Sequence, residues 1–367
     1  MGDCGHQPER LLIVFNELLD EALLDTICRK FPGSEVKFHH SAKGTTVPKG
    51  KQHQQSSIKV RQFSSHSMMS RIWKVESSDL KLIHSVSSGL DHLLAYPIVE
   101  ETDIPLTNSS GIHGPPMAEW TIMNWLVASR NYPKMHDDQK NHKWSDRRPY
   151  MTGIHDQVGK RVGILGYGSV GRQIACMCKS MGMIIHAYTA SPRYTPESRR
   201  DSGYRVPRTG DPEGTIPESW HHGLDKESIH SFLSLGLDHL VISLPLTEQT
   251  THIIGTEELK LLSNKCSHPF TEPYLTNLSR GQVVDQGALL AALEVGQIAF
   301  AALDVTDPEP LPPDHYLWDA PNKQISPHVS CMGREYLPRS LDIVKENLER
   351  MAAGDKLVNA YDRGKGY

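Results

Sequence analysis

The stretch "KRVGILGYGSVGR" at residues 160–172 decides how the chain folds. It reads as a buried strand running into a glycine-rich turn, with Gly166, Gly168 and Gly171 at G-x-G-x-x-G spacing. The first glycine permits a tight turn, the second lets backbone approach a pyrophosphate, and the third lets a helix pack close to the strand. That helix begins near Val170. With Ser169 and Val170 at its start, its free N–H groups and dipole suit an anion. "MIIHAY" follows as a second strand, so the motif has the strand–turn–helix–strand setting of a dinucleotide site. A glycine-rich turn that merely packs is the bland alternative.

Downstream, "HAYTASPRYTPESRR" (186–200) departs from the simplest version of that site. About 20 residues after the first glycine an acid is expected, to hold the adenosine ribose hydroxyls. The position falls on or beside Thr189, followed by Ser191 and Arg193. Hydroxyls and a guanidinium suit a phosphate dianion, which a carboxylate would repel. The expectation is therefore NADP(H), contacted by Thr189, Ser191 and Arg193, with NAD(H) as the alternative. Arg193 can also be read with Arg199 and Arg200 as part of a solvated loop.

Outward from this core, "KRVGIL", "RQIACMCKSMG", "MIIHAY", "HLVISLPL", "ALLAALEVG" and "AFAALDV" alternate strand and helix patterns. Such alternation specifies α/β architecture on a doubly wound parallel sheet. Residues 191–228 form a long connection rich in Pro, Gly and Arg, expected as a surface insertion. Upstream, "RLLIVFN" (10–16) reads as a strand and "LKLIHSVSSGLDHLL" (80–94) as strand, turn and helix start. "AEWTIMNWLVASR" (118–130) reads as a strong helix. Residues 339–354 predict a last amphipathic helix, with Leu341, Val344, Leu348 and Met351 on one stripe and Gly354 as its stop.

The totals narrow the functional classes. The chain has 367 residues, 38% of them hydrophobic, enough for about two domains with real cores. A net charge of −4 gives no overall bias toward nucleic acid or anionic membranes. No apolar run approaches the roughly 20 residues that span a bilayer, and "MGDCGHQPER" lacks the apolar region of a secretory signal. Six scattered cysteines form no disulfide pattern. A cytoplasmic protein without nucleic-acid or membrane partners is the expectation. Cys176 and Cys178 point apart on a helix, and His39–His40 and His221–His222 read as adjacent loop residues, so no metal site is expected.

A second constellation spans residues 277–328. "NLSRGQVVDQG" carries Arg280, "AALDVTDPEP" carries Asp304 and Glu309, and "ISPHVS" carries His328. Each alone is unremarkable. In order, they sit at the ends of strand patterns, where an open parallel sheet presents its ligand crevice.

With "SVSSGLDHL", "MAEW", "SLPLTEQT" and the glycine loop in the same order, the chain resembles the D-isomer-specific 2-hydroxyacid dehydrogenases, from about residue 75 to Tyr367. Within that family it looks closest to the glyoxylate and hydroxypyruvate reductases. The resemblance implies two doubly wound α/β domains: a Rossmann cofactor domain (112–329) inserted into a discontinuous flavodoxin-like substrate domain (1–111 and 330–367). It further implies a cleft between them, a homodimer paired through the cofactor domain, and a small 2-oxoacid or 2-hydroxyacid as substrate. Arg280 would hold the carboxylate and polarise the carbonyl. Backbone N–H groups at Ser88 and Gly89 would hold the carboxylate from the other side. His328 would donate the proton, with Glu309 favouring its imidazolium and fixing the ring. Asp304 would bind the nicotinamide carboxamide, and Pro245 would back the ring. Trp125 and Trp144 suit an interface or pocket, and equally a core.

Two stretches fit the family poorly. "QSSIKVRQFSSHSMMSRIW" (55–73) is more polar than the expected substrate-domain strand, and "NKCSHPFTEPYLTN" (264–277) inserts several residues before the arginine strand. Two other functions remain open at this stage: a dinucleotide-sensing scaffold or corepressor on the same fold, and an NAD-linked enzyme of the same class.

Overall fold

The computed structural model describes residues 10–15, 29, 35–40, 61–63, 80–90, 93–94, 96–151, 154–266 and 272–363. The chain divides into two compact units, Met1–Ile112 with Arg334–Tyr367, and His113–Gly333.

The first unit contains a five-stranded parallel sheet: β1 (Arg10–Phe15), β2 (Glu35–His40), β3 (Arg61–Phe63), β4 (Leu80–Ser85) and β5 (Leu106–Asn108). Its spatial order is β3-β2-β1-β4-β5. A flavodoxin order, 2-1-3-4-5, would put the third strand between the first and fourth. Instead β1 pairs directly with β4, Val14 beside Ser85, and β3 lies at the outer edge. The polar sequence explains this. Inner strands of a parallel sheet are covered on both faces and read as near-continuous apolar runs, which "KVRQFSSH" does not supply. Three residues at an edge are what it sustains. The α/β class stands, and the strand order differs from the flavodoxin-like one that the resemblance implies. His39 and His40 end β2 instead of lying in a loop.

The second unit opens with α1 (Gly114–Ser129) and alternates thereafter: β6 (Arg161–Leu165), α2 (Ser169–Ser180), β7 (Ile184–Thr189) and β8 (Ser219–His222). It continues with α3 (Lys226–Leu233), β9 (His239–Ile242), α4 (Thr256–Lys265) and β10 (Tyr274–Asn277). After α5 (Gln286–Glu294) come β11 (Phe300–Leu303) and β12 (Lys323–Ile325). All seven strands run parallel, in the order β12-β11-β10-β9-β6-β7-β8. The chain winds outward from β6 through β7 and β8, then restarts on β6's other side with β9. Ligand crevices of such sheets form at that switch point.

Alternation along each strand divides the core between the two faces. Leu240 and Ile242 join Phe232, Leu259 and Leu289 from α3, α4 and α5. Val241 between them joins Trp125 and Ile174 from α1 and α2. Trp125 is fully buried, and its indole N–H donates to Thr276 Oγ1 at 2.9 Å, so it belongs to the core. Trp144, by contrast, is 96% exposed.

Past residue 333 the chain returns to the first unit with α6 (Tyr336–Ala353). Leu341 and Val344 are fully buried, as their stripe predicts. The same face also buries Ser340 and Asn347, two polar residues that no apolar pattern reveals. Ser340 Oγ lies 3.1 Å from His84 Nε2 and 2.7 Å from Ser109 Oγ, while His84 Nδ1 meets Thr107 Oγ1 at 2.8 Å. Asn347 exchanges side-chain hydrogen bonds with the Val358 backbone at 2.7 and 3.0 Å. Beyond it, Ala360 bridges antiparallel to Thr107, so the tail covers the β5 edge.

Candidate active site

The glycine turn follows β6 as the sequence specifies. Gly166 has φ +95°, and a Cβ there would lie 2.5 Å from the Ser243 carbonyl oxygen at the end of β9, so only glycine closes the switch point. A Cβ on Gly171 would strike the Gly166 carbonyl oxygen at 2.5 Å and the Ile164 side chain at 2.8 Å. Gly168 differs: nothing lies within 4 Å of its would-be Cβ, and it caps α2 without a side-chain hydrogen bond. The result is open space in front of a helix N-terminus whose first N–H groups, at Ser169 and Val170, have no capping side chain. An anionic pyrophosphate fits that cradle in charge and shape. Pro245 lies exposed in the loop after β9, its carbonyl accepting from Thr250 Oγ1 at 2.8 Å.

At the end of β7, Thr189 Oγ1 donates to the Ser191 carbonyl at 2.8 Å and Ser191 is exposed. Arg193, also exposed, donates one guanidinium N–H to the Ser198 carbonyl at 2.6 Å. No acid occurs between Thr189 and Pro196. The following insertion is more than a surface loop. Arg172, buried in α2, donates to the carbonyls of Asp211 (2.5 Å) and Arg199 (2.6 Å) and packs over the Tyr167 and Trp220 rings. Tyr167, between the first two motif glycines, donates its hydroxyl to buried Asp211 at 2.9 Å. Asp211 also accepts from the N–H groups of Thr215 and Ile216 at 3.0 and 3.1 Å. Burial beside that carboxylate pushes the Tyr167 phenol well up from its ordinary range. His221 and His222 close β8, not a loop; His222 Nε2 lies 2.9 Å from the Tyr194 hydroxyl.

Across the switch point, Arg280, Asp304 and His328 follow β10, β11 and β12 at the carboxyl edge of this sheet. Asn277 ends β10 and shapes the arginine turn: Nδ2 donates to the Arg280 carbonyl at 2.9 Å while Oδ1 accepts from Ser279 N and Oγ. Half-buried Arg280 donates one N–H to the Ser279 carbonyl at 2.8 Å. Gly281 lets this turn lie against the next one, since a Cβ there would fall 2.0 Å from the Thr306 carbonyl carbon. His328 Nδ1 and Glu309 Oε1 are 2.7 Å apart, both side chains 39% exposed. That hydrogen bond, with the nearby Arg280 guanidinium adding to it, holds the Glu309 carboxyl below its usual range. Glu309 is therefore ionised at neutral pH, with the Arg280 guanidinium near it.

Asp304 is almost wholly buried, and among the described residues its carboxylate meets the segment that carries His328. Oδ1 accepts from Ser326 Oγ (2.6 Å), Val329 N (2.9 Å) and Ser330 N (3.0 Å). Oδ2 accepts from Ser330 N (3.1 Å) and Ser330 Oγ (2.5 Å). Ser326 and Ser330 were not legible as site residues; the only sequence signal was hydroxyls on either side of "PHV". In the first unit, the Ser88–Gly89 turn follows β4. The Ser88 carbonyl accepts from Asn108 Nδ2 at 3.0 Å, and the Gly89 carbonyl from Ser87 Oγ at 2.9 Å.

Among the described residues one group has metal-ligand character: His230, Glu257 and Glu258. Lys226 Nζ already stands 2.5 Å from Glu257 and 3.8 Å from Glu258, filling the cation position. Of the stretch at 264–277, residues 267–271 lie outside the described ones; β10 and the arginine turn follow it in order. Of 55–73, only 61–63 is described. No helix among the described residues is long and apolar enough to cross a membrane.

Comparison with known proteins gives a consistent result. The family model described as "D-isomer specific 2-hydroxyacid dehydrogenase, NAD binding domain" matches residues 122–330, more than half of the chain. A glyoxylate reductase of Aeropyrum pernix is 31% identical over 293 residues, covering 77% of each chain. A D-isomer specific 2-hydroxyacid dehydrogenase from Xanthobacter autotrophicus Py2, solved with NADPH and MES, superposes with TM-score 0.71 at 25% identity, covering 98% of this chain and 100% of that one. An NADPH-dependent glyoxylate/hydroxypyruvate reductase from Sinorhizobium meliloti, solved with NADP and sulfate, shares the fold with TM-score 0.70 at 24% identity, covering 98% and 100%.

Proposed function

This chain belongs to the D-isomer specific 2-hydroxyacid dehydrogenase family, and on that footing we propose that it reduces a small 2-oxoacid to the D-2-hydroxyacid with NADPH. The observation that carries the reading is the His328–Glu309 pair at 2.7 Å beside Arg280, at the sheet edge where the glycine cradle also opens.

The cradle at Gly166, Gly168 and Gly171, with the first N–H groups of α2 at Ser169 and Val170, would hold the cofactor pyrophosphate. Thr189, Ser191 and Arg193 would meet the 2′-phosphate, Arg193 with the guanidinium N–H groups not given to Ser198. Pro245 would stand against the nicotinamide. The reduced nicotinamide, when bound, supplies the hydride.

Substrate handling falls to the chain's own residues. Arg280 presents a planar fork suited to a carboxylate with an adjacent carbonyl oxygen, and its positive charge opposes the negative charge that builds on that oxygen. Ser88 and Gly89 are assigned further carboxylate contacts through backbone N–H groups. With Nδ1 committed to Glu309, His328 has Nε2 as its proton-donating atom. The ionised Glu309 stabilises the imidazolium and fixes the ring plane, so the proton at Nε2 is delivered to the oxygen in one orientation.

The test is the rate of NADPH oxidation and, separately, NADH oxidation at 340 nm with glyoxylate, hydroxypyruvate and a branched 2-oxoacid. A preference for NADPH of about tenfold or more in kcat/KM, equivalent to about 1.4 kcal/mol, supports the full reading. A preference for NADH overturns the role of Arg193 and keeps the enzyme. Tight cofactor binding without turnover on any of the three acids overturns the catalytic reading.

A further inference from the structure

We infer that Tyr194 and His222 are positioning residues for Arg193: their hydrogen bond latches the loop after β7 onto the end of β8 and holds in place the guanidinium that tells NADPH from NADH. The inference rests on the 2′-phosphate reading of Arg193 given above.

Little in the loop's own composition orders it. Residues 191–200 are Ser, Pro, Tyr, Thr, Glu and three arginines, and every side chain from Ser191 to Glu197 is exposed. An arginine on a mobile loop loses its freedom on meeting a phosphate, and that loss is subtracted from the affinity. The contacts around Arg193 remove part of that freedom beforehand. Arg199 Nε donates to the Arg193 carbonyl at 2.9 Å, while its guanidinium lies over the Trp220 ring, 5.7 Å from the centroid. Thr195 and Ser198 cap the helical turn Pro196–Arg199 reciprocally, each backbone N–H donating to the other's hydroxyl at 3.1 and 3.2 Å. Arg200 pairs with Glu213 at 2.8 Å. Arg199 and Arg200 are thus engaged with the protein, whereas exposed Arg193 gives one N–H to Ser198.

The latch secures the other side of Arg193. Tyr194 is 74% exposed, yet its hydroxyl lies 2.9 Å from His222 Nε2 and the two rings meet edge to face at 5.4 Å. His222 is the register partner of Thr189 in the parallel β7–β8 pair, so both side chains leave the sheet on one face. Gly223, the next residue, donates its N–H to the Thr189 carbonyl at 3.2 Å. The end of β8 therefore grips the loop twice, at its root through Thr189 and beside Arg193 through Tyr194.

Wild type, Arg193→Ala, Tyr194→Phe, His222→Phe and the double variants Tyr194→Phe/His222→Phe and Arg193→Ala/Tyr194→Phe are titrated calorimetrically. The probes are adenosine 2′,5′-bisphosphate and 5′-AMP, which lacks the 2′-phosphate. Both phenylalanines keep an aromatic ring in place and delete the hydrogen bond. Each single latch variant is expected to lose about fivefold in bisphosphate affinity, the usual net worth of one hydrogen bond, and the latch double no more. Affinity for 5′-AMP stays within about twofold of wild type. Arg193→Ala is expected to lose about tenfold or more for the bisphosphate, and adding Tyr194→Phe costs nothing further, because the latch acts only through Arg193. Bisphosphate affinities within about twofold of wild type in both latch variants, beside a deficient Arg193→Ala, overturn the inference alone. A loss that multiplies in the Arg193→Ala background also overturns it, by putting Tyr194 itself on the phosphate. Full bisphosphate affinity in Arg193→Ala removes the 2′-phosphate reading, and the inference with it.

Discussion

Arg280 is assigned its role through shape as much as charge. Its turn is held by Asn277 on one side and by the close approach at Gly281 on the other, and one guanidinium N–H is given to the Ser279 carbonyl. Lysine keeps the charge and loses the paired donors. Arg280→Lys is therefore expected to lose about 100-fold in kcat/KM for glyoxylate, with NADPH affinity unchanged by fluorescence titration. A comparable loss of NADPH affinity would show that Arg280 serves the cofactor instead. This scale also divides what the sequence made legible from what it did not. Arg280, Glu309 and His328 stood out because few residue types can bind a carboxylate fork or exchange a proton near neutral pH. Asn277, Ser326 and Ser330 are generic turn residues, and their importance comes from loops that meet only in three dimensions.

Among the elements, the segment after β7 departs most from its sequence reading. Its Pro, Gly and Arg content suggests solvent, yet Asp211 is buried and receives Tyr167, Thr215 and Ile216, while Arg172 reaches back from α2 to its carbonyl. A single buried carboxylate with three bonded donors is invisible to periodicity, because pattern recognition credits only apolar burial. The segment is thus stapled to the glycine turn. Removing the staple leaves several donors without partners, at about 1–3 kcal/mol for each buried orphan before relaxation. Asp211→Ala is expected to destabilise the chain by roughly 2–4 kcal/mol in urea unfolding and to expose residues 199–216 to protease. A change within about 0.5 kcal/mol would show that the segment is only loosely attached. The strand order of the first unit has a similar lesson. The polarity of residues 55–73 was visible, but a weak strand's place in a sheet depends on competition between neighbours, and β4 won the position beside β1.

For the whole molecule, two histidines couple stability to pH. Burial pushes His84 in the first unit down to about 3 and His239 in the second well below its ordinary value; His239 packs on Trp125 with ring centroids 4.0 Å apart. Each is neutral when folded and titrates near 6.5 when unfolded. Their stabilising contribution is thus complete above about pH 6.5 and is lost as pH falls toward the folded-state values, by about 1.4 kcal/mol per pH unit for each. His84→Gln is expected to flatten the pH dependence of urea unfolding between pH 6.5 and 4.5 by about that slope; an unchanged slope would mean His84 is not buried neutral. The same histidine also ties folding to the order of synthesis. Its partner Ser340 lies 256 residues further along the chain, on a helix that supplies the fully buried Leu341 and Val344 to the same unit. At ribosomal rates of about 5–20 residues per second, the first sheet waits roughly 13–50 s for that helix. During that interval the intervening unit can emerge complete with its own core. The first strands to be made are therefore among the last to be sealed, and a nascent chain halted before residue 336 carries one unit closed and the other still open to chaperones.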